Sequence, residues 1–159
     1  MEELKLTNGN GTKKERTRYA YSLKIARVKE EDFPYRGQEL SCTSDVVSFV
    51  NSLQSADIEK MIILYMDAQN KLICLQVMSG TVNTCVVYPR EVYRHALYSG
   101  ACGIIIIHNH PSGRTKPSDA DIHLTKTIKE VGKQLDIILH DHLIIGDKAV
   151  FSFREEGIL

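Results

Sequence analysis

Hydrophobic and polar positions change their period several times along the chain, and each change marks an element. Residues 1–18 (MEELKLTNGNGTKKERTR) offer almost nothing to bury and read as a loose tail. Residues 19–28 (YAYSLKIARV) mix aromatic and β-branched side chains and predict a strand. Residues 29–40, with Pro34 and Gly37, predict a linker. Ser44 then stands where a helix cap would, ahead of Val46, Val47, Phe49, Val50 and Leu53 on one helical face. The apolar run from Met61 to Met66 predicts a buried strand, and the polar turn Asp67-Ala68-Gln69-Asn70 leads back into a hairpin partner over residues 71–78. Gly80 breaks that partner, and residues 81–87 predict a third strand.

The second half alternates in the same way. Pro89 suits the first position of a helix whose apolar stripe is Val92, Tyr93, Ala96 and Leu97, with Gly100 as its stop. Residues 103–107 are an unbroken apolar run, the pattern of a strand covered on both faces. A further helix carries Leu124, Ile128, Val131 and Leu135 on one face. Residues 137–145 and 149–153 predict closing strands around a tight turn at Gly146-Asp147. Strands alternating with helices, without internal repeats, predict a single α/β domain with a mixed sheet.

Composition narrows the function classes. A chain of 159 residues with 43% hydrophobic positions can bury a core without disulfide staples. Twenty basic and twenty acidic residues cancel, so no global attraction to nucleic acid or an anionic membrane follows. The tail carries Lys5, Lys13, Lys14, Arg16 and Arg18 against Glu2, Glu3 and Glu15, a net +2 that suits a solvated segment better than a nucleic-acid arm. No apolar run approaches the roughly 20 residues of a spanning helix, and the first residues lack the apolar core of a signal peptide. Cys42, Cys74, Cys85 and Cys102 form no C-x-x-C pair, which argues against a cysteine zinc site or a disulfide framework and points to a reducing cytoplasm.

The chemistry-bearing segment is His108-x-His110-Pro111-x6-Ser118-x2-Asp121, just past the buried strand. Two histidines at i and i+2 of an extended chain point to the same side. Pro111, Ser112 and Gly113 then turn the chain, and Asp121 would ride the first turn of the next helix with its carboxylate able to swing back. Two imidazoles and one carboxylate leave a tetrahedral zinc ion one open position, the layout of a catalytic rather than a structural site. Such an ion activates water and polarises a carbonyl, as amide hydrolysis requires. The plainer reading makes Ser118 the N-cap and Asp121 the N3 acid of a capping box, and the two readings are compatible because a cap holds Asp121 still. His108 and His110 could likewise satisfy backbone groups at a strand end. Zincin (H-E-x-x-H), deaminase, phosphate-loop and G-x-S-x-G patterns are all absent from the sequence.

HNHPSG followed by PSDAD resembles the JAMM signature, H-x-H-x7-S-x2-D, of the JAB/MPN metalloprotease superfamily. More narrowly, YPREVYRHAL, HNHPSGRTKPSDAD and DHLIIGD, in that order, resemble the RadC family, also called UPF0758, over residues 42–159. The resemblance implies a mixed sheet flanked by helices, of the JAB/MPN (cytidine-deaminase-like) kind. It also implies a Zn²⁺ ion held by His108, His110 and Asp121, with Ser118 steadying a tetrahedral oxyanion. The superfamily uses an upstream glutamate as general base, which in RadC relatives heads an apolar strand ending in aspartate. The matching segment here runs from Glu59 to Asp67, so Glu59 is the candidate. Glu91, in Pro-Arg-Glu, competes, although a first-turn acid is favoured by the helix dipole in any case.

A second H-x-H, His140-Asp141-His142, is not assigned to the metal by the signature. Asp141 and His142 are candidates for orienting metal-bound imidazoles from behind, or else satisfied structural groups. His95 and His123 read as solvated. On this reading residues 1–41 are a tail and leading strand, and residues 42–159 are the metal-binding domain of a short form without the N-terminal helix-hairpin-helix region of many relatives. The expected function is a cytoplasmic JAMM-type zinc metalloprotease cleaving a peptide or isopeptide amide in a protein or peptide substrate, with no membrane and no strong sign of nucleic acid as partner. The alternative is a non-catalytic metal-binding interaction module linked to mobile elements or to DNA repair, the source of the family name. Phosphodiester hydrolysis would need a second metal or a cationic clamp, for which only Arg114 and Lys116 are at hand.

Overall fold

The computed structural model describes residues 37–40, 42–50, 58–79, 87–147 and 149–159. The predicted tail, the leading strand, all but Val87 of the strand predicted over residues 81–87 and the proposed helical position Leu53 lie outside the described residues. Five strands form one mixed sheet: β1 (Lys60–Met66), β2 (Leu72–Ser79), β3 (Gly103–Asn109), β4 (Ile138–Ile145) and β5 (Val150–Ser152). Their order is β2-β1-β3-β4-β5, with only β3 and β4 parallel. A parallel neighbour requires a crossover, and here it is α3 (Asp119–Gln134).

Helices cover both faces. α2 (Pro89–Ser99) and α3 pack over Met61, Ile63, Tyr65, Ile104, Ile106 and Leu139. α1 (Thr43–Phe49) covers Leu64, Met66, Ile105, Ile107 and Leu143 on the other side. Central β3 is buried along its whole length, so its continuous apolar run is the expected signature. The strand continues two residues beyond its predicted end, through His108 and Asn109. That extension puts His108 inside the sheet.

Several local expectations need correction. The N-cap of α1 is Cys42, not Ser44, and the Asp45 carboxylate accepts from the Cys42 amide at 3.2 Å. Leu97 is 58% exposed, because the short α2 presents only Val92, Tyr93 and Ala96 inward. Leu135 is the C-cap of α3 and is exposed too. The buried stripe of α3 is Asp121, Thr125, Ile128 and Gly132, with Leu124 and Val131 at its edge. A buried aspartate and threonine on a core-facing stripe require a polar partner nearby.

Candidate metal centre

His108 is wholly buried near the end of β3, between Met61 on β1 and Ile144 on β4. His110 lies just past the strand, where its amide still donates to the Ile145 carbonyl at 3.1 Å. The chain then turns through Gly113, whose φ of +73° is left-handed and whose added Cβ would lie 2.4 Å from the Asp147 carboxylate. Glycine adopts that turn without strain. At the start of α3 the Ser118 hydroxyl oxygen accepts from the Asp121 amide at 3.2 Å. Asp121 Oδ2 accepts from the Ser118 amide at 2.7 Å and from its hydroxyl at 2.6 Å. The capping box therefore holds the carboxylate against the strand end.

The three side chains meet. His108 Nε2 lies 3.0 Å from His110 Nε2 and 3.3 Å from Asp121 Oδ1, and His110 Nε2 lies 3.6 Å from Asp121 Oδ2. All their ligand atoms fall within 4.8 Å of one another, a group able to hold a metal ion. His110 Nδ1 faces the Arg114 carbonyl at 2.8 Å, and a carbonyl only accepts, so that nitrogen carries the proton and Nε2 offers a lone pair to the group. Electron-pair donors converging at this distance repel one another unless positive charge lies among them. The donor set of two imidazoles and one carboxylate fits Zn²⁺ chemistry.

Electrostatics point the same way. The Asp121 carboxylate beside it, which favours the charged ring, raises the His110 pKa above its ordinary value against the opposing effect of burial, and the nearby Glu59 charge adds to the rise. Burial would push the Asp121 carboxyl up, but the adjacent His108 and His110 and the hydrogen bonds from Ser118 outweigh it and hold the group well below the usual carboxylate range. Both directions favour positive charge at this group.

The structure places Glu59 immediately before β1, next to the strand end that carries His108 and His110. Asn109 holds it there: Asn109 Oδ1 accepts from the Lys60 amide at 2.8 Å and Nδ2 donates to the Ile58 carbonyl at 3.2 Å. Both main-chain neighbours of Glu59 are thus clamped. Glu91 sits in the first turn of α2, with its carboxylate paired to Arg94 at 2.5 Å and Arg90 at 3.4 Å.

The second H-x-H divides. His142 is entirely buried, its Nε2 2.9 Å from His108 Nδ1 and its Nδ1 2.7 Å from the Thr125 hydroxyl. Its ring stacks on Phe153 at 4.8 Å. Burial, then the adjacent His108, lowers its pKa well below the ordinary value and leaves it neutral. Asp141 turns the other way and accepts from the His142 amide, the Ser152 hydroxyl and the Arg154 amide at 2.7, 2.6 and 3.0 Å. His95, read as solvated, is half-buried: its Nδ1 lies 2.8 Å from the Glu91 carbonyl and its ring 6.3 Å from Tyr65. His123 is exposed. Asn109 and Thr125 are the residues that sequence reasoning passed over. The available signals were a strand-disfavoured asparagine and a threonine four residues after Asp121 on the same helix face.

A mixed sheet between helices, with His-x-His leaving the central strand and an aspartate on the crossover helix, defines a JAB-type domain with a candidate metal centre. The chain belongs to the RadC family: the model of the RadC-like JAB domain matches residues 40–158. It is 45% identical over 102 residues to the UPF0758 protein YkfG of Escherichia coli, covering 64% of this chain and 65% of that protein. It is 42% identical over 108 residues to a UPF0758 protein of Alteromonas mediterranea, covering 67% and 48% respectively. A UPF0758 protein of Methanosarcina mazei is 35% identical across 100% of this chain and 70% of its own length. The chain spans about half the length of several curated relatives it matches, 48% in A. mediterranea and 54% in Clostridium perfringens. Among the described residues no helix is long and apolar enough to cross a membrane.

Proposed function

We propose that this domain is a zinc-dependent metallohydrolase that cleaves a peptide or isopeptide amide bond in a cytoplasmic protein or peptide substrate. The observation that carries this reading is the convergence of His108 Nε2, His110 Nε2 and the Asp121 carboxylate on one point. In this scheme those three residues hold zinc, and the zinc supplies Lewis acidity that activates water near neutral pH and polarises the scissile carbonyl. Asp121 stays ionised throughout the working range because its pKa is held so low. Glu59 takes a proton from the attacking water and returns it to the leaving amine, for which its carboxylate must come within about 3 Å of the reacting atoms. Ser118, whose hydroxyl points at Asp121, turns that donor to the developing oxyanion.

An interaction module that merely binds metal would use the same three ligands and have no need of Glu59. The test is elemental analysis and a peptide and isopeptide hydrolysis screen on the parent and Glu59→Gln. The parent should carry about one equivalent of zinc, the count set by a single His-His-Asp ligand set. The variant should keep that zinc and lose about 10²- to 10⁴-fold in turnover, the range of a general base. A parent that takes up no zinc, or a variant with undiminished turnover, overturns the scheme.

A further inference from the structure

Thr125 and His142 lie behind the metal group, and the proposed hydrolysis makes no use of them. Their hydrogen bonds nevertheless have a fixed direction. The Asp121 main-chain carbonyl can only accept, and the Thr125 hydroxyl lies 2.6 Å from it, so the single hydroxyl proton is spent there. The Thr125 oxygen is left as an acceptor toward His142 Nδ1 at 2.7 Å, and that nitrogen therefore carries a proton. The His142 ring is wholly buried and has no carboxylate on either nitrogen, so it is neutral and its Nε2 is bare. At 2.9 Å, that bare nitrogen accepts from His108 Nδ1. His108 must then hold its proton on Nδ1, which leaves Nε2, the nitrogen facing His110 and Asp121, as a free lone pair.

We propose that Thr125 and His142 are positioning residues that select the Nε2-free tautomer of His108, so that the metal group is set before any ion arrives. The inference rests on the zinc reading above and adds to it how one ligand is prepared. The opposite tautomer would aim an N–H bond into the donor group and obstruct it. Thr125 hangs from the helical turn that carries Asp121, so one chain of hydrogen bonds also ties α3 to β3 and sets the spacing of two ligands. The stack of His142 on Phe153, with planes 8° apart, keeps the relaying ring from rotating.

The first test needs no metal and no variant. Long-range proton–nitrogen spectra of ¹⁵N-labelled, metal-stripped protein should show His108 protonated on Nδ1 alone; protonation on Nε2, or an even mixture, overturns the proposal. Thr125→Val keeps the side-chain shape and removes the acceptor. It should weaken zinc binding, read by chelator competition, about 10- to 100-fold, the usual cost of losing a group that orients a ligand. The same variant should shift His108 toward the Nε2-protonated form, whereas Thr125→Ser, which keeps the hydroxyl, should match the parent in both readouts. Parent-like affinity and an unshifted tautomer in Thr125→Val would remove the relay from the account. Should Thr125→Val fail to fold, Thr125→Ser and the parent spectrum still decide. A parent without zinc would sink the hydrolase reading, while the tautomer of the metal-free protein judges this one separately.

Discussion

The pattern His-x-His occurs twice in this chain, on neighbouring parallel strands, and the two copies have opposite characters. At the exit of β3, His108 is still in the strand and His110 has just left it, so both rings reach one point with their Nε2 atoms 3.0 Å apart. In β4 the pairing register breaks: Ile104 pairs with Leu139, but Ile105 pairs with Asp141, leaving His140 as an extra residue. The alternation slips by one at that place. Leu139 and His142 face α3, while His140 and Asp141 line a cavity with Val46, Ile105 and Leu143 on the side of α1. The second pair therefore cannot close on an ion. The electrostatics follow the geometry, for the adjacent Asp121 raises the His110 pKa whereas burial, then the charge of Arg154, lowers that of His140. A tripeptide takes its chemistry from where its strand ends and which register it keeps.

The contrast can be broken most directly by metal analysis. His108→Ala/His110→Ala should lose zinc completely and His140→Ala should retain it; zinc lost from His140→Ala would erase the distinction. Asn109→Ala should leave the zinc content alone but free the segment around Glu59 and lower turnover about 100-fold, as a misplacement near 1 Å can do. Unaltered turnover would show that the Asn109 clamp has no part in placing Glu59.

Stability measurements sharpen the other half. Asp141→Asn removes a buried, charged acceptor of three hydrogen bonds and should cost about 2–3 kcal/mol in denaturant unfolding, with zinc content unchanged. Gly103→Ala would set a Cβ 2.1 Å from His140 Nε2, so it should cost about 1–3 kcal/mol as overpacking does. His140→Ala should relieve most of that cost, and additive effects in the double mutant would show the two residues are not in contact.

The smallest effect is a pH dependence. The folded protein holds the His140 pKa below its ordinary value of 6.5, so the unfolded chain binds the proton more readily. The stability contributed by neutral His140 is fully present above that value and is lost as pH falls below it, levelling off under the folded pKa. Parent and His140→Ala should therefore converge in unfolding free energy between neutral and mildly acidic pH. Curves that stay parallel would show that His140 titrates alike in both states.

Much of this architecture is written locally. The run at residues 103–107 predicted a strand covered on both faces, and β3 is buried throughout. Pro89 and Gly100 bracket α2 as predicted, because a missing amide and a left-handed cap are single-residue properties. The spacing of His108, His110, Ser118 and Asp121 drew attention to that segment because strand alternation and a capping box act over a few residues. The stripes of α2 and α3 were less legible: Leu97 and Leu135 fit the period but face solvent, and Asp121 and Thr125 are buried instead. Hydrophobicity cannot flag a polar residue that goes inside to meet a polar partner.

By itself, then, the sequence determined the alternation of strands and helices, the capping box at Ser118 and Asp121, and the presence of two His-x-His segments, all of them features of neighbouring residues. Only the tertiary structure decided that His142 turns toward His108 while Asp141 turns away, since that depends on one bulge in the register between β3 and β4. It also decided that Asn109 brackets Glu59, and that a threonine on α3 reaches a histidine on β4. These partners are separated by between 17 and 51 residues, and register between distant segments is set by how whole faces pack, which no local pattern contains.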